Sequence, residues 1–68
     1  MGSAVKDSLG LQVKVERIKL GLKQSELAAL AGVSQADVSQ LERDKKLVPA
    51  RRKPILVALG IIDGADVR

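Results

Sequence analysis

The side chains able to do chemistry in this chain of 68 residues are amides, hydroxyls, carboxylates and cations, with no histidine, cysteine, tyrosine, tryptophan or phenylalanine. That set is poor for catalysis. Without imidazole or phenol, and with no pair of carboxylates isolated among apolar residues, nothing is placed to shuttle a proton or activate a nucleophile. Disulfides and thiolate or imidazole metal sites are excluded, and carboxylates alone suit only hard, oxygen-seeking ions, so no metal or cofactor is implied. Hydrogen bonding and charge remain. They concentrate in Gln35-Ala36-Asp37-Val38-Ser39-Gln40-Leu41-Glu42-Arg43. At about 100° per residue Val38 and Leu41 share one side of a helix, while Gln35, Ala36, Ser39, Gln40 and Arg43 lie across from them. The outward side carries short or amide side chains and few long acids, so it can approach the edge of a polar partner unobstructed.

The charge balance points to the kind of partner. Lysine and arginine total 12 against 8 aspartates and glutamates, a formal charge of +4 that favours a polyanion such as nucleic acid. Proteins that grip single strands commonly stack bases on aromatic rings, which this chain lacks; duplex DNA requires none. A connection from Asp44 to Pro54 holds five cations (Lys45, Lys46, Arg51, Arg52, Lys53) and one acid.

Elements must position these groups, and the length admits only one small domain with a single core. A core of this size rarely supplies more than about 3–5 kcal/mol. A first helix is predicted from a cap at Asp7 or Ser8 to a left-handed closing residue at Gly21, with Gly10 a small penalty in its first turn. It carries one apolar stripe of Leu9, Val13 and Leu20 and an almost opposite one of Leu11, Val15 and Ile18. Only one can face the core; ordinary burial by neighbouring segments is the favoured fate of the other, and an exposed patch that meets another protein is the alternative. A second helix is predicted over Gln24–Ala31, with Leu27, Ala28, Leu30 and Ala31 inward. Its start is poorly made, because Lys23 stands where a capping side chain belongs and opposes the helix dipole unless an anion meets it. Gly32 ends it, and Ser34 with Asp37 forms a capping box for the third helix. The basic connection reads as a loop, and a fourth helix is predicted from about Arg52, with Pro54 in its first turn, through Leu59 to Gly60. A strand over Ile55 to Ile62 has nothing to pair with. That apolar run of eight residues is also far short of the roughly 20 that cross a bilayer. The beginning lacks a secretory signal's hydrophobic stretch, which makes the cytoplasm the default, in association with the nucleoid if the partner is DNA. The expected organisation is a disordered segment over 1–7, an all-α domain of four to five helices over 8–62, and a short tail over 63–68.

Two short helices joined by a glycine-containing turn, the second with one buried and one polar face, make the helix-turn-helix pattern, placed here at 24–43. From Gln24 the apolar residues Leu27, Ala31, Val33, Val38 and Leu41 recur with small Ala28 and Gly32 at the tight positions. With Arg17-Ile18-Lys19-Leu20-Gly21-Leu22-Lys23-Gln24-Ser25-Glu26-Leu27-Ala28, Gly32-Val33-Ser34-Gln35, Leu41-Glu42 and Ala58-Leu59-Gly60-Ile61, the chain resembles the lambda-repressor-like, or Xre/Cro-type, DNA-binding family from about Leu9 to Ile61. The resemblance implies a structural ion pair between Arg17 and Glu42. It implies base contacts by Gln35, Ala36 and Gln40, with Ser39 able to join them. Those types suit the task, since glutamine can bridge the adenine N6 and N7 and a methyl group suits that of thymine. It implies phosphate contacts by Gln24 and, from the cations nearby, by Lys23, Arg43, Lys45 and Lys46, with Arg51 and Arg52 as further candidates. The expected function is sequence-specific duplex-DNA binding as a transcriptional regulator, a repressor acting as a homodimer at least on DNA. The alternative is an antitoxin or interaction module whose Leu11, Val15 and Ile18 face grips a protein. Two departures stand out. Relatives often have Asn-Gly after the glutamate, whereas Arg43-Asp44 must make that turn here, Asp being among the residues that tolerate a left-handed backbone. Arg51 and Arg52 stand where relatives often place apolar residues.

Overall fold

The computed structural model describes residues 8–63, so the readings made for 1–7 and for 64–68, Asp7 as a cap included, lie outside the described residues. Among the described residues there are four helices: α1 (Leu9–Lys19), α2 (Gln24–Ala31), α3 (Gln35–Glu42) and α4 (Pro49–Ala58). α1 starts at Ser8, whose Oγ accepts the Leu11 amide at 3.1 Å. The bounds of α2 coincide with the apolar spacing, and the missing cap at Lys23 is compensated from inside the helix, where Glu26 Oε1 accepts the Lys23 amide at 2.8 Å. Glu26 also places a negative charge in the first turn, offsetting the unfavourable lysine.

All four helices close by one device. After α1, α2 and α4 the chain turns through a left-handed glycine, Gly21, Gly32 and Gly60, and after α3 through Asp44 at φ 58°. In each case the residue beyond donates its amide five residues back: Leu22 to Arg17, Val33 to Ala28, Lys45 to Gln40 and Ile61 to Leu56, at 2.9–3.1 Å. These bonds satisfy carbonyls that a helix end leaves open. Aspartate serves α3 because its side chain has a second task. Asp44 Oδ1 accepts the amide of Gly10 at 2.8 Å, tying the first turn of α1 to the end of α3. That contact explains Gly10, which local propensity marks only as a penalty: a Cβ there would lie 2.5 Å from the Glu42 carbonyl oxygen and 2.7 Å from that of Leu41.

The core is aliphatic throughout: Val13, Leu27, Ala28, Val38, Leu41, Ile55, Leu56 and Leu59 are buried, with Leu22, Val33, Leu47, Ile61 and Ile62 packed around them. α1 contributes Val13 alone to the buried set. Leu9 and Leu20 of its inward stripe stay substantially exposed, and the opposite stripe is not covered, Leu11, Val15 and Ile18 being 43%, 43% and 56% exposed. The expected burial of that second stripe is thus overturned, because no other described helix packs on the outer side of α1. Leu30, assigned inward in α2, is 66% exposed, at the edge of the contact with α4.

α4 begins earlier than predicted. Pro49 takes the first helical position and the Val48 carbonyl accepts the amides of Arg51 and Arg52, both at 2.9 Å, so Pro54 lies inside the helix rather than in its first turn. Either proline satisfies the local rule for a helix start. Starting at Pro49 leaves the Ala50 carbonyl without a donor from Pro54, at a residue that is exposed.

In an open helix Gly→Ala stabilises by up to about 1 kcal/mol. Gly10→Ala is expected to do the reverse here, costing about 1–3 kcal/mol through overpacking. At roughly 4–8 °C per kcal/mol for a domain of this size, the drop is readable by far-ultraviolet circular dichroism. A raised melting temperature would mean that α1 does not rest on the α3 end as described. Asp44→Gly should be milder than Asp44→Ala, since glycine keeps the backbone conformation while both lose the bond to Gly10.

Candidate nucleic-acid interface

The site grows from the turn between α2 and α3. Gly32 reverses the chain, Val33 is drawn against the core, and Ser34 and Asp37 exchange bonds: Asp37 donates its amide to Ser34 Oγ and Ser34 donates its amide to Asp37 Oδ2, each at 3.1 Å. α3 therefore starts at a defined residue with a defined rotation. Val38 and Leu41 point into the core, which leaves Gln35, Ala36 and Gln40 exposed and Ser39 half-buried on the outer side.

The other end of α3 is held by an ion pair. Arg17 Nε donates to Glu42 Oε2 at 2.5 Å and Nη2 to Oε1 at 3.2 Å, the two side chains being only 12% and 4% exposed. Arg17 Nη1 donates to the Leu22 carbonyl at 2.8 Å. Two charges in such surroundings are tolerable only if their hydrogen bonds are met, as they are here. Gln24 completes the set: its Nε2 donates to Glu42 Oε1 at 3.0 Å, and its Oε1 accepts a longer bond, 3.4 Å, from Gln35 Nε2. A continuous chain of side chains thus leads from the interior pair to the outward face. The half-buried Gln24 is a bridge between Glu42 and Gln35, a connection that no local pattern announces.

The cations fall into distinct environments. Lys23, Arg43, Lys45 and Lys46 are exposed, Lys23 at the start of α2 and the others at and after the end of α3. Arg43 Nη2 donates to Ser39 Oγ at 3.3 Å, so the serine offered as a base contact is engaged on its own helix. Arg51 turns to α3, where Nη1 donates to Asp37 Oδ2 at 3.0 Å. Sequence reading missed this pair. Its one available signal was an acid at the capping position facing a cationic segment downstream. The Asp37 carboxyl is held below its ordinary value chiefly by the Ser34 amide, helped by Arg51 and the Ser34 hydroxyl and opposed by burial.

The arrangement is a convex helix surface with hydrogen-bonding tips, set among exposed cations and braced from behind. A helix-turn-helix family model matches residues 13–52, well over half of the chain. The match opens at core Val13 and spans the Arg17–Glu42 pair, the glycine turn and all of α3. The chain belongs to the lambda-repressor-like, or Xre/Cro-type, helix-turn-helix family. As an Xre-type domain it is a DNA-binding helix-turn-helix regulator with an all-α fold. No helix among the described residues is long and apolar enough to cross a membrane.

For this Xre-type domain, Arg17→Ala is expected to cost roughly 3–5 kcal/mol by stranding Glu42, about the whole stability of a domain this small. Thermal or urea unfolding will show it. Arg17→Met with Glu42→Leu should recover much of the loss; a melting point that barely moves for Arg17→Ala would place the pair in solvent. Because the folded-state Asp37 carboxyl is depressed, its contribution is present above the unfolded value of about 3.9 and is lost as pH falls through the lower folded value. Melting temperature should accordingly fall with pH below about 4. Asp37→Asn should flatten part of that fall.

Proposed function

We propose that this domain recognises specific sequences of duplex DNA by laying α3 in the major groove, and that it acts as a transcriptional repressor. One observation carries the reading: the helix closed off from the core by Val38 and Leu41 presents Gln35, Ala36 and Gln40 outward. In this reading Gln35 and Gln40 bond base edges, Ala36 meets a thymine methyl, and Ser39 joins them when Arg43 swings to a phosphate. Lys23, Gln24, Arg43, Lys45 and Lys46 contact the backbone, supplying affinity without sequence preference. Gln24 would reach a phosphate while still holding Glu42 and Gln35, making it the hinge between the two kinds of contact. The reading extends to a homodimer on DNA, whose two copies on one face of the duplex would read half-sites roughly 34 Å apart. The setting is the cytoplasm, at the nucleoid.

A second reading, an antitoxin or protein-interaction module, is favoured by the exposed Leu11, Val15 and Ile18 ridge on α1. The ridge points away from the core-facing Val13, so a protein could hold it while α3 engages DNA.

Selection from a random duplex library followed by gel shift with labelled DNA tests the first reading. Gln35→Ala with Gln40→Ala should lower affinity for the selected sequence by about one and a half to four orders of magnitude and erase its preference over random DNA. The logarithm of affinity should fall with the logarithm of salt at about 0.9 per phosphate neutralised. Unchanged preference after both substitutions would reject the assigned readout. Leu11→Asp with Val15→Asp should leave folding and DNA affinity intact; if it does so and a protein partner of the wild type is lost, the second reading gains.

A further inference from the structure

Among the cations of the 44–54 segment, Arg51 is tied to the recognition helix rather than extended from it. Its Nη1 bonds Asp37 Oδ2 at 3.0 Å, joining α4 to α3. Asp37 is 6% exposed, and the same Oδ2 accepts the Ser34 amide that opens α3. The guanidinium therefore grips the capping box itself, next in sequence to Ala36. Its own backbone is firmly placed, since Pro49 fixes the chain direction and the Val48 carbonyl takes the Arg51 and Arg52 amides at 2.9 Å.

α3 is a short helix of 8 residues, and its far end is already held by Glu42 on Arg17 and by Asp44 on Gly10. The Arg51–Asp37 bond holds its near end as well. Bonds to base edges depend on direction and distance, whereas attraction to phosphates tolerates small rotations. We propose that Arg51 is a positioning residue for sequence readout, which sets the angle of the first turn of α3 through Asp37 and does not contact the DNA backbone. The proposal deepens the DNA-binding reading and rests on it.

The test compares wild type, Arg51→Ala, Arg51→Lys, Asp37→Asn and the Arg51→Ala/Asp37→Asn double variant. Each is measured against the sequence that wild type selects from a random duplex library and against unrelated duplex, over a salt series, with melting temperatures alongside. Arg51→Ala should melt within a few degrees of wild type, because the arginine end of the pair is exposed. Its affinity for unrelated duplex and its salt slope should hold, while the ratio of selected to unrelated binding falls about tenfold, the loss of roughly one base contact. Arg51→Lys should restore part of the ratio. The loss in the Arg51→Ala/Asp37→Asn double variant should be smaller than the sum of the two single losses, since the two residues share one bond while Asp37 also holds the Ser34 amide. A salt slope reduced by about 0.9 with the ratio intact makes Arg51 a phosphate contact and overturns the proposal. Intact slope and intact ratio make the pair inert and overturn it too. A wild type that selects no sequence overturns the sequence-specific reading and this inference together, before any variant is compared.

Discussion

The guanidinium of Arg17 is the point on which the rest of the domain depends. It binds both carboxylate oxygens of Glu42 at the end of α3 and the carbonyl of Leu22 in the turn before α2, so it joins three segments at one locus. An apolar substitute of similar volume could match a buried pair in stability. What the pair adds is geometric specificity, because two parallel bonds to one carboxylate fix the relative direction of the groups that make them. Through Gln24 the constraint reaches Gln35, and an interior charge thereby orders a side chain on the outer surface.

A core without aromatic rings has little area to spare, and the fold compensates with polar contacts at the helix ends. Each helix closes through a left-handed residue and a returned amide, so few carbonyls are left for the small core to shield. The substitution of Asp44 for glycine in this scheme accepts some backbone strain and gains the bond to Gly10. Gly10, Glu42 and Asp44 then form one contact, in which the absence of a side chain on α1 and the presence of one after α3 are complementary.

α1 is held to the domain by Val13, Gly10 and Arg17, and its outer side is left to solvent. That economy separates the molecule into a side braced around α3 and an apolar ridge on α1 with no part in the bracing.

Much of this was written locally in the chain. The end of α2 and the start of α3 follow from Gly32, Ser34 and Asp37, whose effects act within one turn, and the outward set Gln35, Ala36 and Gln40 follows from the period of Val38 and Leu41. The family, and with it the expectation of a pair between Arg17 and Glu42, was legible in the motif. What tertiary structure alone decided depends on distances that no local rule contains. Two prolines could each open α4, and the packing of Leu47 and Ile55 with the core accompanies the earlier start. Leu30 and the second stripe of α1 have inward periodicity but no neighbour to cover them. Gly10 is a local defect that a contact 34 residues away makes necessary, and Arg51 is a surface cation until folding brings it to Asp37. Sequence fixes which groups a segment can offer because caps and periods are short-range; which of those offers is taken depends on what the chain brings within 3 Å or so of them, the reach of a hydrogen bond.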